Sequence, residues 1–407
     1  MSAATSVFRP SSAPPSVLER LVALHPETEV WWDSSPVVFG AWRERMLAAV
    51  APAARGLLAV QLDRLFPAHD PAAGVISGVT TNPPLSLQAL EARPDLFGPV
   101  ARRLRTDLPH AHPEVVYWRT YLEVVRTGAE ALRPQWEATG GRRGYLSGQV
   151  DPRYADEAGL MFRQGLEIAA QGPNVMVKCP GTAAGLEVIH RLTALGLATN
   201  CTLSFIVPQF VAVADAVARG LAKARAARVD LFRWRSVITQ MAARFEERPE
   251  FDASAATVGL ALSPADRRWA GIALFHRART VLAARGYPGK LLLCSLRRGP
   301  ADAQGEHFWH VEKTAGHPMV YTCPPECLSE LLALDGRLEL RATSADIVPA
   351  EVLARLRRVP YFAEAWATEM PAERFAALPA TAFTQRQFAV ATEETVARVH
   401  RLATADA

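Results

Sequence analysis

Lys178 is the residue whose type and position point most directly to chemistry. It lies in Asn174-Val-Met-Val-Lys-Cys-Pro-Gly-Thr-Ala-Ala-Gly185, a short apolar run that ends on a lysine and gives way to a proline-glycine turn and a helical pattern. Burial at the carboxyl end of an apolar strand disfavours the ammonium form, which frees the amine to attack a ketone and form a Schiff base. The plainer alternative is a lysine that buries its stem and keeps its charge in water. Asn200 and Thr202 stand two apart in the next β-rich run, so their side chains share a face. Threonine alone is an ordinary strand former and an inward asparagine needs partners, but the pair together favours a site. Cys179 faces away from Lys178's side of the strand, toward packing.

These residues need a frame that turns several strand ends toward one another. Short β-rich runs fall at 29–32, 74–79, 145–150, 175–178, 198–205, 236–241, 290–296 and 318–322. Helical patterns lie between them at 114–137, 155–170, 184–195, 209–225, 264–285 and 326–333. Strands alternating with helices predict a closed parallel sheet: an α/β fold, a (β/α)₈ TIM barrel with an N-terminal extension, insertions and a C-terminal helical tail. Residues 1–24 read as a flexible leader, 25–345 as the catalytic barrel and 346–407 as a helical extension packing on it. Pro360, Pro371 and Pro379 read as breaks in that tail, with a closing helix over 385–402.

The 407 residues carry a net charge of only +4, with acids and bases interleaved, which argues against a nucleic-acid surface and leaves room for a local anion site. The arginines between Lys223 and Arg235 have the spacing of a solvated helix face. Five cysteines do not form a disulfide framework and fit a reducing compartment. Cys323-Pro-Pro-Glu-Cys327 lacks a second ligand pair beyond His307 and His310, so no metal is expected. The leader has no apolar core and no stretch reaches membrane-span length, so the expectation is a soluble cytoplasmic protein without membrane contact.

Four ordered segments carry a resemblance. Gly78-Val-Thr-Thr-Asn-Pro83, Gln149-Val-Asp-Pro-Arg153, Val175-Met-Val-Lys-Cys-Pro-Gly-Thr-Ala-Ala-Gly-Leu-Glu-Val-Ile-His190 and Asn200-Cys-Thr-Leu-Ser-Phe205 resemble the strand signatures of transaldolases, Schiff-base-forming relatives of class I aldolases. The resemblance runs from near Trp31 to near Val396. It implies that Lys178 is the nucleophile and that Asp33, in Trp31-Trp-Asp-Ser-Ser35, takes the proton of the substrate hydroxyl during carbon-carbon cleavage. A strand-end or N-cap aspartate is the alternative on local sequence. It further implies that Thr81 and Asn82 hold substrate hydroxyls and that Asn200 and Thr202 lie near the Schiff base. Ile238-Thr-Gln-Met-Ala-Ala-Arg-Phe245 and Leu293-Cys-Ser-Leu-Arg297 align with the phosphate-binding segments, which places Arg244, Ser295 and Arg297 around a phosphate. Guanidinium forks suit that dianion.

One position departs from the family pattern. Transaldolases have a glutamate ahead of Val-Asp to relay protons through a water; this chain has Gln149, whose amide cannot accept that proton. Fructose 6-phosphate aldolases carry glutamine there with a tyrosine on the sixth strand, but Met241 occupies that place here. The resemblance implies transfer of a three-carbon dihydroxyacetone unit from fructose 6-phosphate or sedoheptulose 7-phosphate to an aldose phosphate, with no cofactor, and the departures from the pattern are compatible with specialisation to an unusual acceptor. The alternatives are a sugar-phosphate-binding barrel serving as sensor or scaffold, and a Schiff-base aldolase. The partners implied are sugar phosphates, with a monomer or homodimer as the assembly.

Overall fold

The computed structural model describes residues 13–301, 303 and 305–405. Eight parallel strands close into a barrel in chain order: β1 Glu29–Asp33, β2 Ile76–Thr80, β3 Tyr145–Gln149, β4 Val175–Pro180, β5 Thr199–Thr202, β6 Ser236–Met241, β7 Lys290–Cys294 and β8 Met319–Cys323. Closure runs through β1 and β8, where Glu29 pairs Val320 and Trp32 pairs Cys323. The (β/α)₈ expectation therefore holds. Two strands stop sooner than their apolar runs suggest, for a shared reason. Leu203 and Ser295 follow β5 and β7 with φ of 52° and 55°, a left-handed backbone that ends an extended run.

Proline punctuates the helical layer by opening elements. Pro52–Asp63, Pro83–Ala92, Pro94–Asp107, Pro113–Ala138, Pro249–Ala256, Pro264–Ala284, Pro325–Ala333, Pro360–Trp366 and Pro379–Thr404 all begin on proline, whose fixed φ suits the first helical turn and whose missing N–H costs nothing there. Pro360 and Pro379 in the tail are thus helix starts, and Pro371 precedes the 3₁₀ segment Ala372–Ala377. The closing helix begins six residues before the expected 385 and packs on helices Pro83–Ala92, Pro94–Asp107 and Pro113–Ala138. The region 40–74 folds as the helices Phe39–Ala49 and Pro52–Asp63 and a short 3₁₀ turn.

The leader reading needs correction at its inner end. Ser16 caps a helix, Val17–Ala23, through a full capping box with Glu19, and Val17, Leu18 and Leu21 are buried against the helix Pro325–Ala333. Residues 1–12 lie outside the described part. The arginine cluster also divides: the helix Val207–Ala226 ends early, and Arg235 lies beyond it with its guanidinium on the buried Glu29.

Alternation along β1 sets the layers of the barrel interior. Glu29, Trp31 and Asp33 face inward at the bottom, middle and top, while Val30 and Trp32 face outward into buried packing. The Trp31 ring fills the middle against β2, where only glycine fits: a Cβ on Gly78 would stand 2.5 Å from it. Above β4, a Cβ on Gly185 would stand 1.9 Å from the Pro180 carbonyl oxygen, so glycine lets the helix Ala183–Ala194 approach the strand that carries Lys178.

Candidate active site

The carboxyl ends of the strands surround a cavity of about 470 Å³. Barrel enzymes build their active sites at this end. Asp33, Asn82, Lys178, Thr202, Arg244, Ser295 and Arg297 all line it, so the fold brings most of the expected site residues together. The floor is rich in hydroxyls, with Thr80, Thr239 and Thr322 beside Thr202.

Lys178 is buried, and its Nζ donates to the Thr81 carbonyl oxygen at 2.9 Å. Burial lowers its pKa, and the nearby Asp33 carboxylate only partly opposes that shift. A single neutral acceptor is a poor substitute for the hydration shell of an ammonium, so the amine is easier to deprotonate than in water. Asp33 shows the mirror effect. Burial raises its pKa against the opposing influence of Lys178, the Thr80 hydroxyl and Arg244. Thr80 Oγ1 donates to Asp33 Oδ1 at 2.6 Å and also meets the Thr322 hydroxyl. Burial thus makes the Asp33 carboxylate more basic and the Lys178 amine less basic, bringing the two closer together.

Register explains which neighbours reach Lys178. Gln149 on β3 and Asn200 on β5 are its direct cross-strand partners, so all three side chains point the same way. Asn200 does not line the cavity. Its amide donates to Ser147 Oγ at 3.0 Å and its oxygen accepts from Thr239 Oγ1 at 2.8 Å, which supplies the partners that an inward asparagine requires. The Gln149 backbone is held by the Tyr121 hydroxyl, which accepts from its N–H at 2.7 Å and donates to its carbonyl at 2.8 Å. Gln149 Oε1 and Thr202 Oγ1 are both buried without a protein partner.

Thr81, like Gln149 and Asn200, does not line the cavity. Its hydroxyl donates to the Ser147 carbonyl at 2.9 Å, and adjacent Thr80 takes the cavity-facing position. Neighbours on an extended chain point to opposite sides, so only one of the pair can enter the cavity. Asn82 caps the helix Pro83–Ala92 by accepting from the Leu85 N–H at 3.0 Å, and it borders the cavity from that position.

The cationic wall stands opposite. Arg244 and Arg297 lie close enough for the like charge of Arg297 to add to the burial that depresses the Arg244 pKa. Arg244 Nη1 donates to Gln387 Oε1 at 2.5 Å and Arg297 pairs with Glu247 at 3.2 Å. Behind them, the Arg297 N–H donates to His310 Nδ1 at 2.8 Å, and His310 Nε2 lies 2.7 Å from the fully buried Glu246. Because Nδ1 accepts, Nε2 carries the proton and donates to Glu246. Sequence reasoning found the closing helix but missed Glu247, Arg248 and Cys294 and the helix residues Phe383, Gln387 and Phe388 that line the cavity. The four-residue spacing of Phe383 and Gln387 was the available signal, since it puts them on one helix face.

Comparison with known proteins agrees with this geometry. The profile described as Transaldolase/Fructose-6-phosphate aldolase matches residues 69–382. A protein named Transaldolase from Thiobacillus denitrificans is 32% identical over 270 residues, which is 63% of this chain and 74% of that protein. A Transaldolase of Mycobacterium ulcerans is 34% identical over 211 residues, 51% of this chain and 54% of its own length. Transaldolase 1 of Streptomyces avermitilis is 35% identical over 190 residues, 45% and 48%. This chain thus spans about half the length of the latter two. Among the described residues no helix is long and apolar enough to cross a membrane. With a closed eight-stranded barrel, a buried lysine at the end of β4 and a match over 69–382, the chain belongs to the transaldolase/fructose-6-phosphate aldolase family.

Proposed function

We propose that this protein is a transaldolase that moves a three-carbon dihydroxyacetone unit from a ketose phosphate to an aldose phosphate through a Schiff base on Lys178. The observation that carries this reading is Lys178 itself: a buried amine with one neutral acceptor, facing the same cavity as Asp33. The free amine adds to the ketone carbonyl of fructose 6-phosphate or sedoheptulose 7-phosphate, and loss of water leaves an iminium. Asp33 takes the proton of the neighbouring hydroxyl, the carbon-carbon bond breaks, and its electron pair enters the iminium to give an enamine while an aldehyde departs. The acceptor aldehyde then adds to the enamine, Asp33 returns the proton, and water releases the new ketose. A base with a pKa raised by burial suits both directions of that transfer.

Thr202 and Gln149 flank the amine, and their unpartnered oxygens suit a water or substrate hydroxyl there. As an amide, Gln149 positions such a group without removing its proton. Asn82, Thr80 and Thr322 offer partners to the hydroxyls of the sugar chain. Arg244, Ser295 and Arg297 hold the phosphate, and Asn200 acts from below by fixing Ser147 and Thr239. No step requires a cofactor.

The test is to incubate the protein with fructose 6-phosphate alone and with added erythrose 4-phosphate. The transferase reading expects sedoheptulose 7-phosphate only when acceptor is present, with matching release of glyceraldehyde 3-phosphate. Equal release of the three-carbon aldehyde without acceptor would mean an aldolase, and no turnover in either mixture would favour a binding-only barrel.

A further inference from the structure

The cavity does not end at its cationic wall. A second, shallower space of about 470 Å³, open to the surface, adjoins it, and the two share Arg244, Phe383, Gln387 and Phe388 as a common partition. The outer chamber adds Pro84, Arg386 and Val390. Val390 is 53% exposed, high for a branched aliphatic residue on a helix whose other face is packed on neighbouring helices. The two chambers differ in chemistry. The inner floor offers threonine hydroxyls, an asparagine, a lysine and an aspartate, which suit a polyol and a carbonyl. The outer one offers phenylalanine, proline and valine surfaces with guanidinium groups at its edges, which suit an apolar body attached to an anion.

The partition is itself built from side chains that an anion could rearrange. Arg244 is held by the Gln387 amide and lies 5.5 Å from the Phe388 ring centroid, while Arg248 lies 3.8 Å over the Phe383 ring. A phosphate drawn to Arg244 therefore sits at a doorway with space on both sides. A terminal monoester would leave the outer space to water. A phosphodiester would place its sugar inward, its charge on Arg244 and its second substituent on the phenylalanine and valine surfaces.

We infer that the outer chamber is a subsite for the far end of the acceptor, and that the preferred acceptor is an aldose whose phosphate is esterified to an apolar or aromatic group. This rests on the proposed transfer chemistry and goes further by specifying the substrate class that chemistry serves. The bonds made and broken are those already described, since the phosphodiester takes no part in them.

The experiment compares erythrose 4-phosphate with its phenyl phosphodiester as acceptors, using fructose 6-phosphate as donor and the full chain. The same samples are reduced with borohydride and weighed intact to score the Schiff base separately. We expect the adduct to form and the diester to have the higher kcat/KM, by about tenfold, as for a well-filled apolar pocket. Val390→Asp places a charge on the apolar wall and should lower the diester-to-monoester ratio of kcat/KM at least several-fold, with Val390→Leu retaining it. If the adduct forms but the diester is not used, or if the ratio is the same in Val390→Asp, the subsite is wrong while the Schiff-base reading stands. If no adduct forms with any donor, that reading fails and the subsite falls with it.

Discussion

Glu29 and Asp33 sit four residues apart on one strand, both acidic and both facing the barrel interior, yet their surroundings drive them in opposite directions. At the bottom, burial of Glu29 is outweighed by Arg235 and Lys290, with hydrogen bonds from Trp31 at 2.9 Å and Ser77 at 3.0 Å, and its pKa falls to about 2. At the top, burial of Asp33 prevails over Lys178, Thr80 and Arg244, and its pKa rises. One end of the barrel saturates its charge and the other leaves charge short of partners. The first arrangement stabilises a fold, while the second suits the proton exchange proposed for Lys178 and Asp33. Barrel folds commonly separate stability and activity in this way.

The comparison breaks most visibly at Asp33. Asp33→Asn should reduce three-carbon transfer by about two to four orders of magnitude, the usual worth of a general base. It should not abolish Schiff-base formation. Because the Asp33 carboxylate raises the Lys178 pKa, its loss lowers that pKa further, so the pH midpoint for adduct formation should move downward. A midpoint that stays put would mean that the two groups do not interact.

The opposite outcome is expected at the bottom. Glu29→Gln strands Arg235 and Lys290 beside a neutral amide and should cost about 3 kcal/mol of stability, while kcat stays within about twofold of wild type. Glu29 has a folded pKa below its ordinary 4.5, so its contribution is present above that value and fades as pH falls from 4.5 toward about 2. Acid unfolding of the variant should depend less steeply on pH in that window, by the share that Glu29 contributes. A stable variant with lowered kcat would invert the assignment of the two ends.

A smaller effect sharpens the top of the barrel. Gln149→Glu adds a proton acceptor beside Lys178 and should raise transfer from fructose 6-phosphate by about tenfold if the missing relay is what limits the rate. A fall in activity would point to a rearranged relay that a new carboxylate disturbs, and no change at any pH would place residue 149 outside the reacting groups. The smallest expected change is at Glu247. Its pair with Arg297 is nearly half exposed on both sides, so Glu247→Gln should lower KM for phosphorylated donors by only about two- to threefold.

Much of this was legible in the sequence because barrels are written in alternation. The eight apolar runs located the strands, and the two-residue spacing of Asn200 and Thr202 put them on one face. The spacing did not say how deep each would lie, and Asn200 proved to be tied to Ser147 and Thr239 below the cavity. Thr81 was favoured over Thr80 although one residue of shift exchanges inside for outside. Arg235 read as surface charge because its partner, Glu29, lies 206 positions away in the chain. The closing helix was visible as a helix, but not that Phe383 and Gln387 would wall the cavity, since which loops and tails meet at a barrel mouth depends on packing between distant segments.

The claim that the barrel top frees the Lys178 amine is tested most directly by trapping. Borohydride reduction in the presence of fructose 6-phosphate, followed by intact mass and peptide mapping, should show one added dihydroxyacetone unit on the peptide containing Lys178. The yield should rise with pH through a midpoint below the ordinary lysine value of 10.5, because burial lowers that pKa. An adduct on another lysine, or one that persists in Lys178→Ala, would contradict the account.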